Sequence, residues 1–224
     1  MIRGVIFDMD GVLIDTYRAH YESWRAVARE HGVAFSEQDF ARTFGRTSRE
    51  IIRLQWTDLA LTDERVHAID DRKEALYRDL VAHDFPAMDG ARDLIDALRA
   101  AGFRLAVGSS APPENVELAV DRLGGRQLFD AIVHGRDVTR GKPDPQVFLL
   151  AAERMGVGPR SCVVIEDAAP GVEAARRAGM ASVAFVSTGR TETELLAASP
   201  LIVVRSLRDL TPGTLSALID GVSA

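Results

Sequence analysis

The chain has 224 residues, 46% of them hydrophobic and 27% charged, with a formal net charge of -6 and a pI of about 5.4. That balance excludes a largely disordered chain, and the negative total argues against a general nucleic-acid binder. Cys162 is the single cysteine, so an intramolecular disulfide is excluded; its apolar neighbours mark it as a small core residue.

The first apolar run, Gly4-Val5-Ile6-Phe7, ends at Asp8, with Asp10 and Gly11 close behind. Short continuous apolar runs of this kind predict strands buried on both faces. Residues 16–85 contain no convincing strand. Their patterns predict helices at about 16–31, 36–43, 48–57 and 62–82. Beyond them, a helix is predicted over 90–101, with Leu94, Ile95 and Leu98 on one face, and a strand over 105–107 before Gly108-Ser109-Ser110. A helix opening on Pro-Glu follows at 113–123, then a strand at 131–133 and a helix at 144–155. A strand at 163–165 ends on Glu166-Asp167, and a helix at 171–178 stops before Gly179. Further strands are predicted at 182–186, ending at Ser187, and at 201–204.

Strand–helix alternation predicts an α/β fold, a doubly wound parallel sheet of Rossmann-like type. Residues 1–15 and 86–224 would form this core, and 16–85 an inserted all-helical cap domain. Ile14-Asp15-Thr16 and His83-Asp84-Phe85-Pro86 are the expected hinges. No apolar stretch approaches the ~20 residues of a membrane span, and the run after Arg3 is too short for a signal segment. A cytoplasmic protein is expected, a monomer or weak dimer with neither nucleic acid nor membrane as a partner.

In open α/β sheets ligands bind beyond the carboxyl ends of the strands. The residues there are Asp8, Asp10, Ser109, Ser110, Glu166 and Asp167, while Lys142 precedes a predicted helix in Gly-Lys-Pro-Asp-Pro. Clustered carboxylates need a compensating cation, and oxygen ligands with room for water and phosphate suit Mg²⁺. Phosphoryl transfer requires a nucleophile, a proton donor to the leaving oxygen and positive charge on the remaining oxygens. Asp8, Asp10 and Mg²⁺ with Lys142 could fill these roles, with Ser109 donating a hydrogen bond. Each fragment alone reads as an ordinary turn or cap; their order, each at an element boundary, is what is specific.

The segments "FDMDGVLIDT", "LAVGSS", Lys142 in "RGKPDP" and "VVIEDAAPGVEAARRAGM" resemble the four motifs of the haloacid dehalogenase superfamily. The helical insertion matches that family's small cap. The resemblance implies that Asp8 is the nucleophile and Asp10 the general acid and base. It further implies that Asp8, the carbonyl of Asp10 and Asp167 hold Mg²⁺ with help from Glu166, and that Ser109, Ser110 and Lys142 bind the phosphoryl group. Dehalogenating and phosphonate-cleaving members lack an acid at the place of Asp10, so a phosphate ester is implied as substrate.

"DTYRAHYESW" resembles the matching stretch of the beta-phosphoglucomutase and sugar-phosphatase branch. That likeness offers His20 and Trp24, an i,i+4 pair, as substrate residues, against a plain core role for Trp24. Arg46 and Arg49 in "GRTSRE" could grip a second anionic group, or be solvated beside a helix capped by Thr47 or Ser48. Lys73 aligns with a family position that reaches substrate, although helical lysines usually lie on the surface. In the mutases the second-motif loop offers serine, lysine and asparagine to a distal phosphate. Here it reads Ser109-Ser110-Ala111-Pro112-Pro113-Glu114-Asn115, with Asn115 as a partial substitute. The expected function is therefore Mg²⁺-dependent hydrolysis of a small phosphorylated metabolite, a sugar or polyol phosphate. A sugar phosphomutase is the alternative, and a catalytically silent regulatory protein on the same fold the more distant one.

Overall fold

A computed structural model describes residues 2–44, 47–57 and 60–223. The chain divides into two compact units, Met1–Asp15 with Pro86–Ala224, and Thr16–Phe85.

The first unit is an α/β core with a six-stranded sheet. Its strands are β1 (Gly4–Phe7), β2 (Arg104–Gly108), β3 (Ala131–Val133), β4 (Cys162–Glu166), β5 (Ala181–Phe185) and β6 (Ile202–Val204), all parallel, in the order β3-β2-β1-β4-β5-β6. In the register Ile6 lies between Ala106 and Val164. These three pack against Phe148 and Ala151 on one side of the sheet, together with Ala174 and Ala175. Val5, Leu105 and Val163 point to the other side by the strand period and are also fully buried. Burial on both faces explains why these strands are unbroken apolar runs rather than alternating ones. Cys162 belongs to this core, and burial pushes its thiol up to about 12.

The second unit consists of α1 (Tyr17–Glu30), α2 (Glu37–Thr43), α3 (Ser48–Gln55) and α4 (Asp63–His83). Ser36 and Thr47 open α2 and α3 with capping boxes closed by Asp39 and Glu50, and Thr62 caps α4. Trp24, Val27, Phe40, Ile52, Trp56, Val66 and Ile69 form this unit's own hydrophobic centre, with Trp24 and Trp56 edge to face at 5.8 Å.

The core helices are α5 (Ala91–Ala100), α6 (Pro113–Leu123), α7 (Gln146–Met155), α8 (Ala169–Arg177), α9 (Glu192–Ala197) and α10 (Pro212–Ser223). Helix α7 starts two residues later than the periodicity predicts, because Pro145 precedes it and Asp144 Oδ1 accepts the N–H of Gln146 at 3.0 Å. Helix α8 starts two residues earlier, since Pro170 fits a first helical turn where its missing N–H is not needed. Among the described residues no helix is long and apolar enough to cross a membrane.

Candidate active site

Because every strand runs the same way, the residues that follow β1, β2 and β4 emerge at one edge of the sheet. Asp8 extends the ladder by one bond, its N–H donating to Ile165 O at 2.9 Å. Ser109 is held in the same way, by a bond to Val133 O at 3.0 Å.

Lys142 reaches this edge from a loop. Its ammonium group donates to Asp8 Oδ1 at 2.8 Å, to Glu166 Oε1 at 2.7 Å and to Gly108 O at 3.2 Å. All three ammonium donors are thereby used, and the nitrogen stands 4.8 Å from the centre of the Phe148 ring. Burial disfavours the charged lysine, but Asp8 and Glu166 outweigh it and hold the group above its ordinary value.

The carboxylates of Asp8, Glu166 and Asp167 are buried and offer oxygens within 4.8 Å of one another. Burial pushes the Asp8 carboxyl well above the usual carboxylate range; Lys142 opposes this, while Glu166 and Asp167 add to it. Burial, then the charge of Glu166, raises Asp167 to about 6 against Arg190, a Ser187 hydrogen bond and Lys142. Three buried acids facing one lysine and one arginine leave room for further positive charge. A hard divalent cation with oxygen ligands fits that set.

Two glycines make room for these acids. Gly11 adopts φ +80°, and a Cβ there would come within 2.0 Å of Asp167 Oδ2. A Cβ on Gly171 would come within 1.8 Å of Glu166 Oε1. Glu166 is committed at both oxygens, since Oε2 accepts the N–H of Ala168 at 2.7 Å while Oε1 takes Lys142.

Asp8, Lys142, Glu166 and Asp167 are thus brought together. Asp10 sits half-buried in the turn closed by Gly11 N–H to Ile14 O at 2.8 Å, and its carboxylate is outside the three-acid cluster. Ser109 is buried, and its Oγ accepts the N–H of Ala111 at 3.0 Å. Ser110 is exposed, with its carbonyl against Gly135. Asn115 is buried in the first turn of α6, and Glu114 pairs with Arg136 at 3.0 Å.

In the helical unit, Lys73 Nζ lies 2.8 Å from His20 Nδ1 and 2.8 Å from Glu74 Oε1. Ser48 donates to the same Glu74 oxygen at 3.0 Å, and His20 stacks on Tyr77 at 4.2 Å. Lys73 is only 2% exposed, which corrects the surface position that a helical lysine suggests; an adjacent carboxylate and the Trp24 and Tyr77 rings make that burial tolerable. For Trp24 the core role weighed against the substrate role is the one its packing matches. At 1% exposure, against Phe35 and Trp56, it builds the hydrophobic centre rather than offering a face to a ligand. Arg49 pairs with Asp70 at 3.0 Å beside a helix capped by Thr47. Arg46 lies outside the described residues.

Two site neighbours escape sequence reasoning. Ser187 Oγ donates to Asp167 Oδ2 at 2.7 Å, and Arg190 Nε stands 3.6 Å from the same oxygen. The available signal was positional: Ser187 closes its apolar run at the carboxyl edge, as Ser109 does.

A haloacid dehalogenase-like hydrolase family model matches residues 2–179. The chain belongs to the haloacid dehalogenase-like hydrolases. Within that family it is 34% identical over 185 residues to a phosphorylated carbohydrates phosphatase of Thermotoga maritima, covering 80% of this chain and 82% of that one. It is 36% identical over 186 residues to the fructose-1-phosphate phosphatase of Escherichia coli K12, covering 80% of this chain and 94% of that one. Among solved structures, the beta-phosphoglucomutase of Clostridium difficile superposes with a TM-score of 0.84 at 25% identity, covering 99% of this chain and 98% of that one. The Rossmann-like core and helical insertion are therefore those of the beta-phosphoglucomutase-like hydrolases of this family.

Proposed function

We propose that the protein is a Mg²⁺-dependent phosphatase acting on a sugar or polyol phosphate through an aspartyl-phosphate intermediate. The observation that carries this reading is the Lys142 bridge between Asp8 and Glu166, with Asp167 completing the acid cluster at the strand ends. The sugar-phosphate phosphatases among the relatives support the substrate class.

Asp8, Glu166 and Asp167 are the residues from which the cation would be held. When bound, Mg²⁺ supplies positive charge beside the phosphoryl oxygens. An Asp8 carboxylate oxygen forms the new bond to phosphorus as the ester oxygen leaves, and Asp10 gives that oxygen its proton. Asp10, now a carboxylate, takes a proton from water, which attacks phosphorus and frees Asp8. Lys142 keeps Asp8 oriented and balances charge on the transferring group. The O–H of Ser109, whose oxygen already accepts from Ala111, is the donor assigned to a phosphoryl oxygen. Substrate choice is assigned to the helical unit, through the His20–Lys73–Glu74–Ser48 network.

The beta-phosphoglucomutase likeness favours a second reading, a sugar phosphomutase. Against it stand two prolines without N–H donors in the loop after Ser109, a buried Asn115, and a Glu114 engaged with Arg136. A panel of phosphorylated metabolites with Mg²⁺ tests both readings. Free phosphate from the wild type and none above background from Asp8→Asn is expected. Isomerised sugar phosphate that requires a bisphosphate activator would replace phosphatase with mutase, and equal inactivity of both proteins would remove the enzyme reading.

A further inference from the structure

The turn after β5 carries a cluster of contacts that the four motifs leave unexplained. Ser187 and Asp167 are 8% and 3% exposed, and their 2.7 Å hydrogen bond is enclosed by protein. Arg190 faces the same carboxylate oxygen at 3.6 Å. Both residues are carried by one tight turn, in which Arg190 N–H donates to Ser187 O at 3.2 Å and Gly189 adopts φ +80°. Thr188, between them, donates its hydroxyl to Asp15 Oδ2 at 2.7 Å. Asp15 is in turn tied to the second chain crossing, its N–H donating to Pro86 O at 2.8 Å.

The terminal torsion of an aspartate is broad, so the plane of its carboxylate is set by partners rather than by the rotamer. Gly11 stands too close to Asp167 Oδ2 for any Cβ, which would also come within 3.1 Å of Ser187 Oγ, and the Ser187 hydroxyl bonds the same carboxylate oxygen. We propose that Ser187 is a positioning residue that fixes the carboxylate plane of Asp167 for a divalent cation, and that the Thr188–Asp15 bond anchors the turn presenting it. The inference rests on Asp167 being a cation ligand. Outer partners of ligating carboxylates usually matter to affinity by about 10- to 100-fold.

Calorimetric titration with Mg²⁺ alone tests this on the wild type, Asp167→Asn, Ser187→Ala, Ser187→Thr and Thr188→Val. Ser187→Ala is expected to weaken Mg²⁺ binding by about 10- to 100-fold, Ser187→Thr to restore it, and Thr188→Val to weaken it less. In phosphatase assays Ser187→Ala should raise the Mg²⁺ concentration at half-maximal rate while kcat at saturating Mg²⁺ recovers, a split that a merely structural defect would not give. Wild-type affinity in Ser187→Ala overturns the proposal, as does equal weakness in Ser187→Thr. If Ser187→Ala gives no cooperative melt, Thr188→Val decides, and unchanged affinity there overturns it. An Asp167→Asn protein that binds Mg²⁺ like the wild type, or a wild type that does not bind it, removes the ligand reading itself and the proposal with it.

Discussion

Asp167 illustrates how the residues of this site trade stability for readiness to bind. Its pKa, raised to about 6 chiefly by burial, lies above that of an aspartate in an unfolded chain. Folding therefore favours its protonated form. The contribution is fully present below the ordinary aspartate range and is lost as pH rises through about 6. Asp8 is shifted in the same direction. A bound cation requires the ionised forms, so Mg²⁺ should raise the melting temperature more at pH 7.5 than at pH 5, each compared with a chelator control. A larger shift at pH 5 would contradict the electrostatics of the cluster. Most of these groups were legible as strand-end residues because each stands where an apolar run stops: Asp8, Ser109, Glu166 and Asp167 were placed by position, and their roles only by the family resemblance. The way Lys142 spans Asp8 and Glu166 was not legible, since it depends on where a loop 134 residues further along the chain than Asp8 delivers its side chain. Trp24 stayed open between core and substrate for a related reason: helical spacing puts it on the face of His20 but does not say which of the two is covered.

Among the elements, the strands were read well because burial on both faces leaves a local mark, an apolar run with a polar stop. Helices α9 and α10 were not read. Helix α9 spans 6 residues, too few for a periodic signal, whereas α10 did offer Pro212 at its start and Leu215 and Ile219 one helical turn apart. Helix α8 yields a sharp expectation. Replacing glycine by alanine within a helix ordinarily stabilises by about 0.5–1 kcal/mol. At Gly171 the added Cβ would fall 1.8 Å from Glu166 Oε1 and 2.6 Å from its Cγ, on a side chain already held by Lys142 and Ala168. The clash should win, and Gly171→Ala should destabilise by about 1–3 kcal/mol. At Gly221 in α10 nothing lies within 4 Å, so Gly221→Ala should be neutral to slightly stabilising. Denaturant titration of both variants checks the contrast, and a stabilised Gly171→Ala would mean that Glu166 is less tightly held than its bonds imply.

At the scale of the whole molecule, two units with separate hydrophobic centres share one chain. The core handles both crossings at one place: Ile14 bridges Ala87, Asp15 N–H donates to Pro86 O at 2.8 Å, and Met88 N–H donates to Leu13 O at 3.0 Å. Joining Asp15 to Pro86 through a short glycine linker in place of residues 16–85 should therefore give a core that melts cooperatively with an α/β circular dichroism spectrum. Aggregation or loss of the cooperative transition would show that the core needs its insertion to fold. The helical unit's centre is built by its own residues, as is the cluster around Ile6 in the core. For a gene, two breakpoints that end up one hydrogen bond apart in the product are an easy place to cut and rejoin. Acids at the strand ends and helices between the breakpoints can then be inherited on different schedules.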